Sequence, residues 1–445
     1  MLDLFKVLFD AVTVPFFLVL CLAIMYAFFG YFDFFDPASA ISALIFLSPI
    51  WLPVSLFYLT FKAWMGFVQT KFALDNGRVT LRLHLPQEVF KSPEAMESVL
   101  AQIYNPGYPD NLMQSYLDGK HALTFSFELV SIGGEVRFYV NVPVKKTKNS
   151  IEAQLYAHYP GIEIVEELAD YTDEISWNPD KYEMMAFRMA KKGDDIYPIK
   201  TYIDFGLDRM PKEEEKFEPM AAMLEQLSRV KPHERIWIQI LATPHFARSF
   251  KNGYLKDKPT WEGRVQAKVN EILKRDAKRA QVDDEGEKNP LLTVGEKDMI
   301  SSMERNSSKY AYETAIRWLY ITEKGKFDGD GIGPLIRTFA QYDVLGRNGI
   351  GVRWRTDFDY NFISDRSGKK KEQYKKEELK SYKLREYSTR DKVKSVDGPK
   401  VMSVEELATI YHIPGSVIVT PSLPRITSTK REAPSNLPTG RQVQL

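Results

Sequence analysis

A single cysteine, Cys21, stands in the whole chain, and it lies inside an apolar run. That excludes a disulfide framework and a multi-cysteine zinc site. Histidines are scattered at His84, His121, His158, His233, His245 and His412, and none makes the His-x-x-x-His spacing that puts two ligands on one helix face. Neither charge is in excess, because 60 Lys and Arg nearly balance 59 Asp and Glu, so only local clusters can point to a partner. Two glycine-rich stretches, GDGIG (Gly329–Gly333) and GRNGIG (Gly346–Gly351), lack the Lys-Ser or Lys-Thr that completes a phosphate-binding loop. Both are expected as turns flanking a helix. A Gly-x-Ser-x-Gly elbow is missing too. The paired carboxylates Asp194-Asp195 and Asp283-Asp284 sit in polar stretches expected to be solvated. No catalytic, metal-binding or cofactor-binding residue is therefore expected, and the chain reads as a non-enzyme. A ligand cleft between two α+β halves is the one route left to enzymatic activity.

What is plentiful is apolar length near the start. Ala11–Phe32 and Ile41–Phe61 carry no charged residue, and about 20 apolar residues suffice for a helix to cross a hydrocarbon core. The short acidic stretch DFFDPASA (Asp33–Ala40) joins them, and Lys6, Lys62 and Lys71 lie on the outer sides. The expectation is a two-pass transmembrane hairpin over residues 1–70, with both termini cytoplasmic and Asp33 and Asp36 in the exposed turn. A cleaved signal peptide is the rival for the first run; Asp3, Asp10 and the second run close behind speak against it. With no charge inside either span, an anchor is expected rather than an ion path.

From Val79 the pattern changes to period two, with Val79, Leu81, Leu83 and Leu85 alternating with Thr80, Arg82 and His84, as in a strand with one buried face. A helical stripe follows at Met96, Val99, Leu100 and Ile103. LTFSFELV and VRFYVNV flank SIGGE as a hairpin, Asn149 and Glu152 could cap a further helix, and Ile162 and Ile164 open another strand. The order is βαββαβ, the ferredoxin-like arrangement. It recurs: Tyr197–Phe205 is expected as a strand, Met220–Leu227 as a helix, and Glu234–Leu241, Glu313–Ile321 and Gly351–Phe358 as strands around a helix at Leu335–Tyr342. The predicted fold class is α+β: an N-terminal two-helix transmembrane hairpin followed by a duplicated ferredoxin-like (βαββαβ) cytoplasmic region. Its parts are a first α+β unit (71–170), a connector (171–195) and a second unit (196–360), whose central hairpin is interrupted by a charged helical insertion at about 246–303. A basic linker (361–400) and a proline-rich extended arm (401–445) complete it.

Within the linker, Arg366–Lys394 carries twelve basic residues against five acidic ones, interleaved with Tyr374, Tyr382 and Tyr387. Such a cluster suits a phosphate backbone or anionic lipid, with tyrosines able to stack on bases. The candidate contacts are Lys369, Lys370, Lys371, Lys375, Lys376, Lys380, Lys383 and Arg385. The alternative is a solvated linker held extended by like charge.

Several segments resemble a known family. LRLHLPQEVFKSPEAMESVLAQIYN, FSFELVSIGGEVRFYVNVP, IEAQLYAHYPGIEIVEE, PMAAMLEQLSRVKPHERIWIQIL and ELATIYHIPGSVIVTPSLPRITSTKREAPSNLP are similar to the membrane-anchored N-terminal region of bacterial type IV secretion and conjugative-transfer ATPases with a HerA/FtsK-like motor. The likeness spans about Val79 to Pro438. In that family the proline-rich arm leads into the ATPase, whose nucleotide-binding residues have no counterpart here. The resemblance implies an inner-membrane adaptor of a type IV secretion or conjugation-like apparatus. Its expected partners are a separate HerA/FtsK-like ATPase, membrane lipid, DNA and further copies of itself. A membrane-tethered nucleic-acid-binding protein acting without a motor is the alternative.

Overall fold

In the computed structural model the described residues are 42, 45–46, 48–86, 92–105, 107–208, 218–255, 258–276, 281–282, 288–289, 292–357, 368–387, 398–415 and 424–426. They fall into two compact units: residues 1–78, 105–123 and 243–291 form one, and 79–104, 124–242 and 292–445 the other.

The first unit is built on a long helix, α1 (Ser48–Asn76), and the short α3 (Leu112–Tyr116). It also holds α6 (Trp261–Asp276) and the two-residue strands β7 (Gln281–Val282) and β8 (Lys288–Asn289). The C-terminal half of α1 buries Met65 and Val68. There the Trp64 indole donates to the Tyr116 carbonyl at 2.8 Å, and Phe72 meets His121 with ring centres 5.4 Å apart. Gly119 makes this approach possible. Its φ is +65°, and a Cβ there would stand 2.4 Å from the Val68 backbone. We expect Gly119→Ala to destabilise this unit by roughly 1–3 kcal/mol, read as a lowered urea midpoint, because neither the backbone angle nor the space admits the methyl.

The membrane hairpin does not survive. Among the described residues no helix is long and apolar enough to cross a membrane. The expected second span, Ile41–Phe61, runs into α1, which continues past it through Lys62, Lys71 and Asp75 and contains Pro53. The expected first span, Ala11–Phe32, lies outside the described residues. The two-pass inner-membrane placement is corrected accordingly.

The second unit is one large sheet. Its strands are β1 (Arg78–Pro86), β2 (Phe125–Ile132), β3 (Glu135–Pro143), β4 (Glu163–Glu167), β5 (Tyr182–Lys191), β6 (Glu234–Pro244), β9 (Ala311–Glu323), β10 (Ile350–Arg355), β11 (Lys400–Ser403) and β12 (Arg425–Ile426). They run β10-β5-β9-β6-β2-β3-β1, with β4 and the short parallel β12 on β1, and β11 on β9. Nine of them form a single antiparallel sheet. Each half orders its strands alike, β4-β1-β3-β2 and β10-β5-β9-β6. The expected pair of separate α+β units is corrected to one sheet for a specific reason. β2 and β6, the last strand of each half, pair along their length from Phe125↔Ala242 to Ile132↔Arg235. Left apart, both would be open edges of unpaired amides and carbonyls.

Alternation then assigns each strand two faces. Phe125, Phe127 and Leu129 of β2, Phe138 and Val140 of β3, Ile238 and Ile240 of β6 and Trp318 of β9 enter the larger core. Over it pack α2 (Glu94–Gln102), α4 (Val144–His158), α5 (Ala221–Ser228), α8 (Ile332–Arg337) and α10 (Val404–Ile410), through residues such as Val99, Leu155, Leu224, Leu335 and Leu407. α4 begins directly after Pro143, so Asn149 lies within the helix and caps nothing. Gly134, at φ +93°, turns the β2–β3 hairpin where a Cβ would meet the Ser228 carbonyl at 2.8 Å. The insertion between β6 and β9 includes α7 (Val294–Ser307), which starts with a Thr293/Glu296 capping box.

Three further expectations change. The first strand of the second half is Tyr182–Lys191, ten residues long and buried on both faces along most of its length, while Tyr197–Phe205 forms turns that bury Ile199 and Tyr202. Residues 369–384 of the expected linker form a helix, α9 (Lys369–Leu384). Residues 401–415 of the expected arm are buried throughout. Ser403 and Glu406 make a reciprocal capping box, and Leu407, Ala408, Ile410 and Tyr411 fill the core, so this stretch is integral to the fold. The arm beyond it lies outside the described residues except for 424–426.

Candidate functional site

The opposite sheet face lies under α9. Seven lysines and three glutamates make α9 strongly basic, KKKEQYKKEELKSYKL. One of its sides supplies Leu379 and Tyr382 to a second, smaller core with Val130, Tyr139, Tyr171, Met184, Trp237 and Leu319. Apolar contact alone does not fasten it. Arg188 of β5 donates to Glu378 through Nε at 3.2 Å and through a second nitrogen, with both side chains buried. Arg188 also lies 4.9 Å from the centre of the Trp354 ring of β10. Arg317 of β9 donates to the Glu386 carbonyl.

At the end of α9, Arg385 adopts φ +51° and turns back beneath the helix. Its Nε lies 3.0 Å from Glu128 Oε1, and another guanidinium nitrogen is 2.6 Å from Asp170. Glu128 is fully buried in the middle of β2. It also accepts from Ser126 at 2.6 Å, from the Tyr171 hydroxyl at 2.6 Å and from its cross-strand partner Gln239 at 2.9 Å. Tyr171 and Tyr382 share a hydrogen bond at 2.9 Å. Burial, then the Glu128 charge, raises both phenols well above their ordinary range, so neither is an acid or base at neutral pH. Burial works against the Arg385 charge, but Glu128 and Asp170 outweigh it and raise the guanidinium pKa. Burial likewise opposes the Asp170 carboxylate, yet Arg385 holds it below the usual range.

The eight candidate contacts separate by face. Lys369, Lys370, Lys376 and Lys380 are exposed. Lys371 and Lys383 are half-buried, the former 2.7 Å from Asp357. Lys375 is buried beside Glu372 at 3.0 Å, and Arg385 is buried on Glu128. Lys369, Lys371 and Lys375 also line an open hollow of about 380 Å³ at the start of α9. The arrangement presents four ammonium groups from a helix whose other side is clamped, which suits attraction of a polyanion with little ordering cost. Among the described residues no cluster of His, Cys, Asp or Glu could hold a metal ion.

The residues that position this helix were not singled out in the sequence. Glu128 in FSFELV, Arg188 in MAFRMA and Arg317 in AIRWLY each put a charge at the polar position of a strand rich in large apolar residues. A lone charge there marks a face that is covered by a counter-charge, and that was the available signal.

Residues 90–343 match the family model described as Domain of unknown function (DUF8128). No curated protein matches the chain.

Proposed function

This chain belongs to the DUF8128 family, and we propose that it is a non-enzymatic docking component of a DNA-transfer apparatus of the type IV secretion and conjugation class. In this reading the outer face of α9 grips the phosphate backbone of DNA, and a separate HerA/FtsK-like ATPase supplies the motion. The observation that carries it is the exposed set Lys369, Lys370, Lys376 and Lys380 on a helix fixed from beneath by Glu378 and Arg385. The sequence likeness supports the apparatus, and the lysine face supports the grip. Phosphate contacts of this kind position a protein on DNA without reading its sequence.

The test is duplex DNA binding by fluorescence anisotropy across a salt series. Wild-type protein is expected to bind with a steep salt dependence. The variant K369Q/K370Q/K376Q/K380Q is expected to weaken binding for every sequence and to lower the slope of log K against log salt by roughly 3–4. All four side chains are exposed, so the fold should be unaffected. Wild-type protein that fails to bind at low salt, or a variant with an unchanged slope, refutes the reading.

A further inference from the structure

Beneath α9 lies a second arrangement that the exposed lysines do not explain. Arg188 and Arg317 stand directly opposite each other on neighbouring strands, and both are buried. Like charges in that position repel, so both arginines need acceptors, and α9 with the residues after it supplies them through the Glu378 carboxylate and the Glu386 carbonyl. Aromatic rings accompany them: Trp354 lies against Arg188, and Trp237 rises from β6 beside Tyr171 at a ring distance of 5.3 Å. Across the same face Gln239, the cross-strand partner of Glu128, carries an amide of the kind that meets the polar edge of a base. Two buried polar atoms here, Trp237 Nε1 and Gln239 Oε1, have no hydrogen-bond partner among the described residues.

We propose that this sheet face is a platform for single-stranded nucleic acid, and that α9 is its built-in occupant. The Glu378 carboxylate sits on Arg188 where a backbone phosphate would sit. The Tyr382 ring, 5.5 Å from Trp237, stands where a base would stack. Arg385 meets the Glu128 carboxylate on the same face, so Arg188 and Arg317 are the sheet groups that a backbone phosphate would take. Release of α9 exchanges ion pairs for phosphate contacts and bares two core side chains, Leu379 and Tyr382, whose place on the rings is taken by bases. This goes beyond the outward lysine face: the site, the form of the ligand and the responsible residues all differ.

The experiment uses dye-labelled oligo(dT) and the full chain carrying K369Q/K370Q/K376Q/K380Q, so that the outer face contributes nothing and its failure cannot be confused with failure here. Adding Glu378→Gln loosens the clamp and is expected to raise affinity for oligo(dT) about tenfold or more. Arg188→Gln on top of it should remove that gain, with thermal melts confirming that each variant is folded. A folded Glu378→Gln protein with unchanged affinity overturns the proposal. Should that variant fail to fold, hydrogen exchange on wild-type protein decides: faster exchange of the α9 amides on adding oligo(dT) supports it, and unchanged or slower exchange overturns it.

Discussion

Replacing Glu128 with alanine is expected to lower the unfolding free energy by about 3–5 kcal/mol, the usual cost of leaving one member of a buried ion pair without its partner. The carboxylate accepts from Ser126, Tyr171, Gln239 and Arg385 in the centre of the sheet. Its removal strands the Arg385 guanidinium beneath α9, where Asp170 remains as a single counter-charge. Urea denaturation gives the magnitude. The companion double variant Glu128→Leu/Arg385→Met should lose much less than the sum of the single losses, because it removes both charges together. A single-variant loss below about 1 kcal/mol would mean that water reaches Glu128 and that the clamp on α9 is weak.

Much of this fold is written in local patterns and part of it is not. The period-two runs over 79–85, 125–142, 234–241 and 313–321 place β1, β2, β3, β6 and β9, since large apolar residues at every second position have one economical arrangement. What local pattern does not state is which edges join. The β2–β6 pairing merges the two halves, and nothing within either strand names the other as its neighbour. Tyr182–Lys191 went unrecognised because both its faces are buried, Met184 and Ala186 on one and Phe187 and Met189 on the other, which blurs the alternation. The lysines of α9 were visible as a cluster, but their separation into an outward set and a buried Lys375 depends on what lies beneath. That in turn depends on Glu128 and Arg188, more than a hundred residues away in the chain.

The misreading of residues 401–415 as part of an extended arm carries the second large expected effect. The prolines of the run that begins here suggested open chain, yet Glu406 is fully buried, 2.7 Å from the equally buried Lys191 Nζ. It also accepts from the Ile199 amide at 2.9 Å and from the Ser403 amide at 2.9 Å. Burial pushes this carboxyl upward against the pull of Lys191, so the pair is held by geometry as well as by charge. Beside it Glu405 takes Arg305 at 3.1 Å and Lys309 at 2.8 Å, and Arg305 reaches on to Asp204. Glu406→Ala leaves an ammonium in the core with only the Asp195 carbonyl, 3.1 Å away, for company. The expected loss is again about 3–5 kcal/mol. Two readouts separate the effect from general weakening. Hydrogen exchange should quicken first at 400–413, because α10 loses the Glu406 half of its capping box as well as its ion pair, and Lys191→Met combined with Glu406→Gln should recover much of the stability. If the single variant instead unfolds at the wild-type urea concentration, with 400–413 still protected, then Leu407, Ile410 and Tyr411 hold this segment by apolar packing alone and the buried charges are incidental to it.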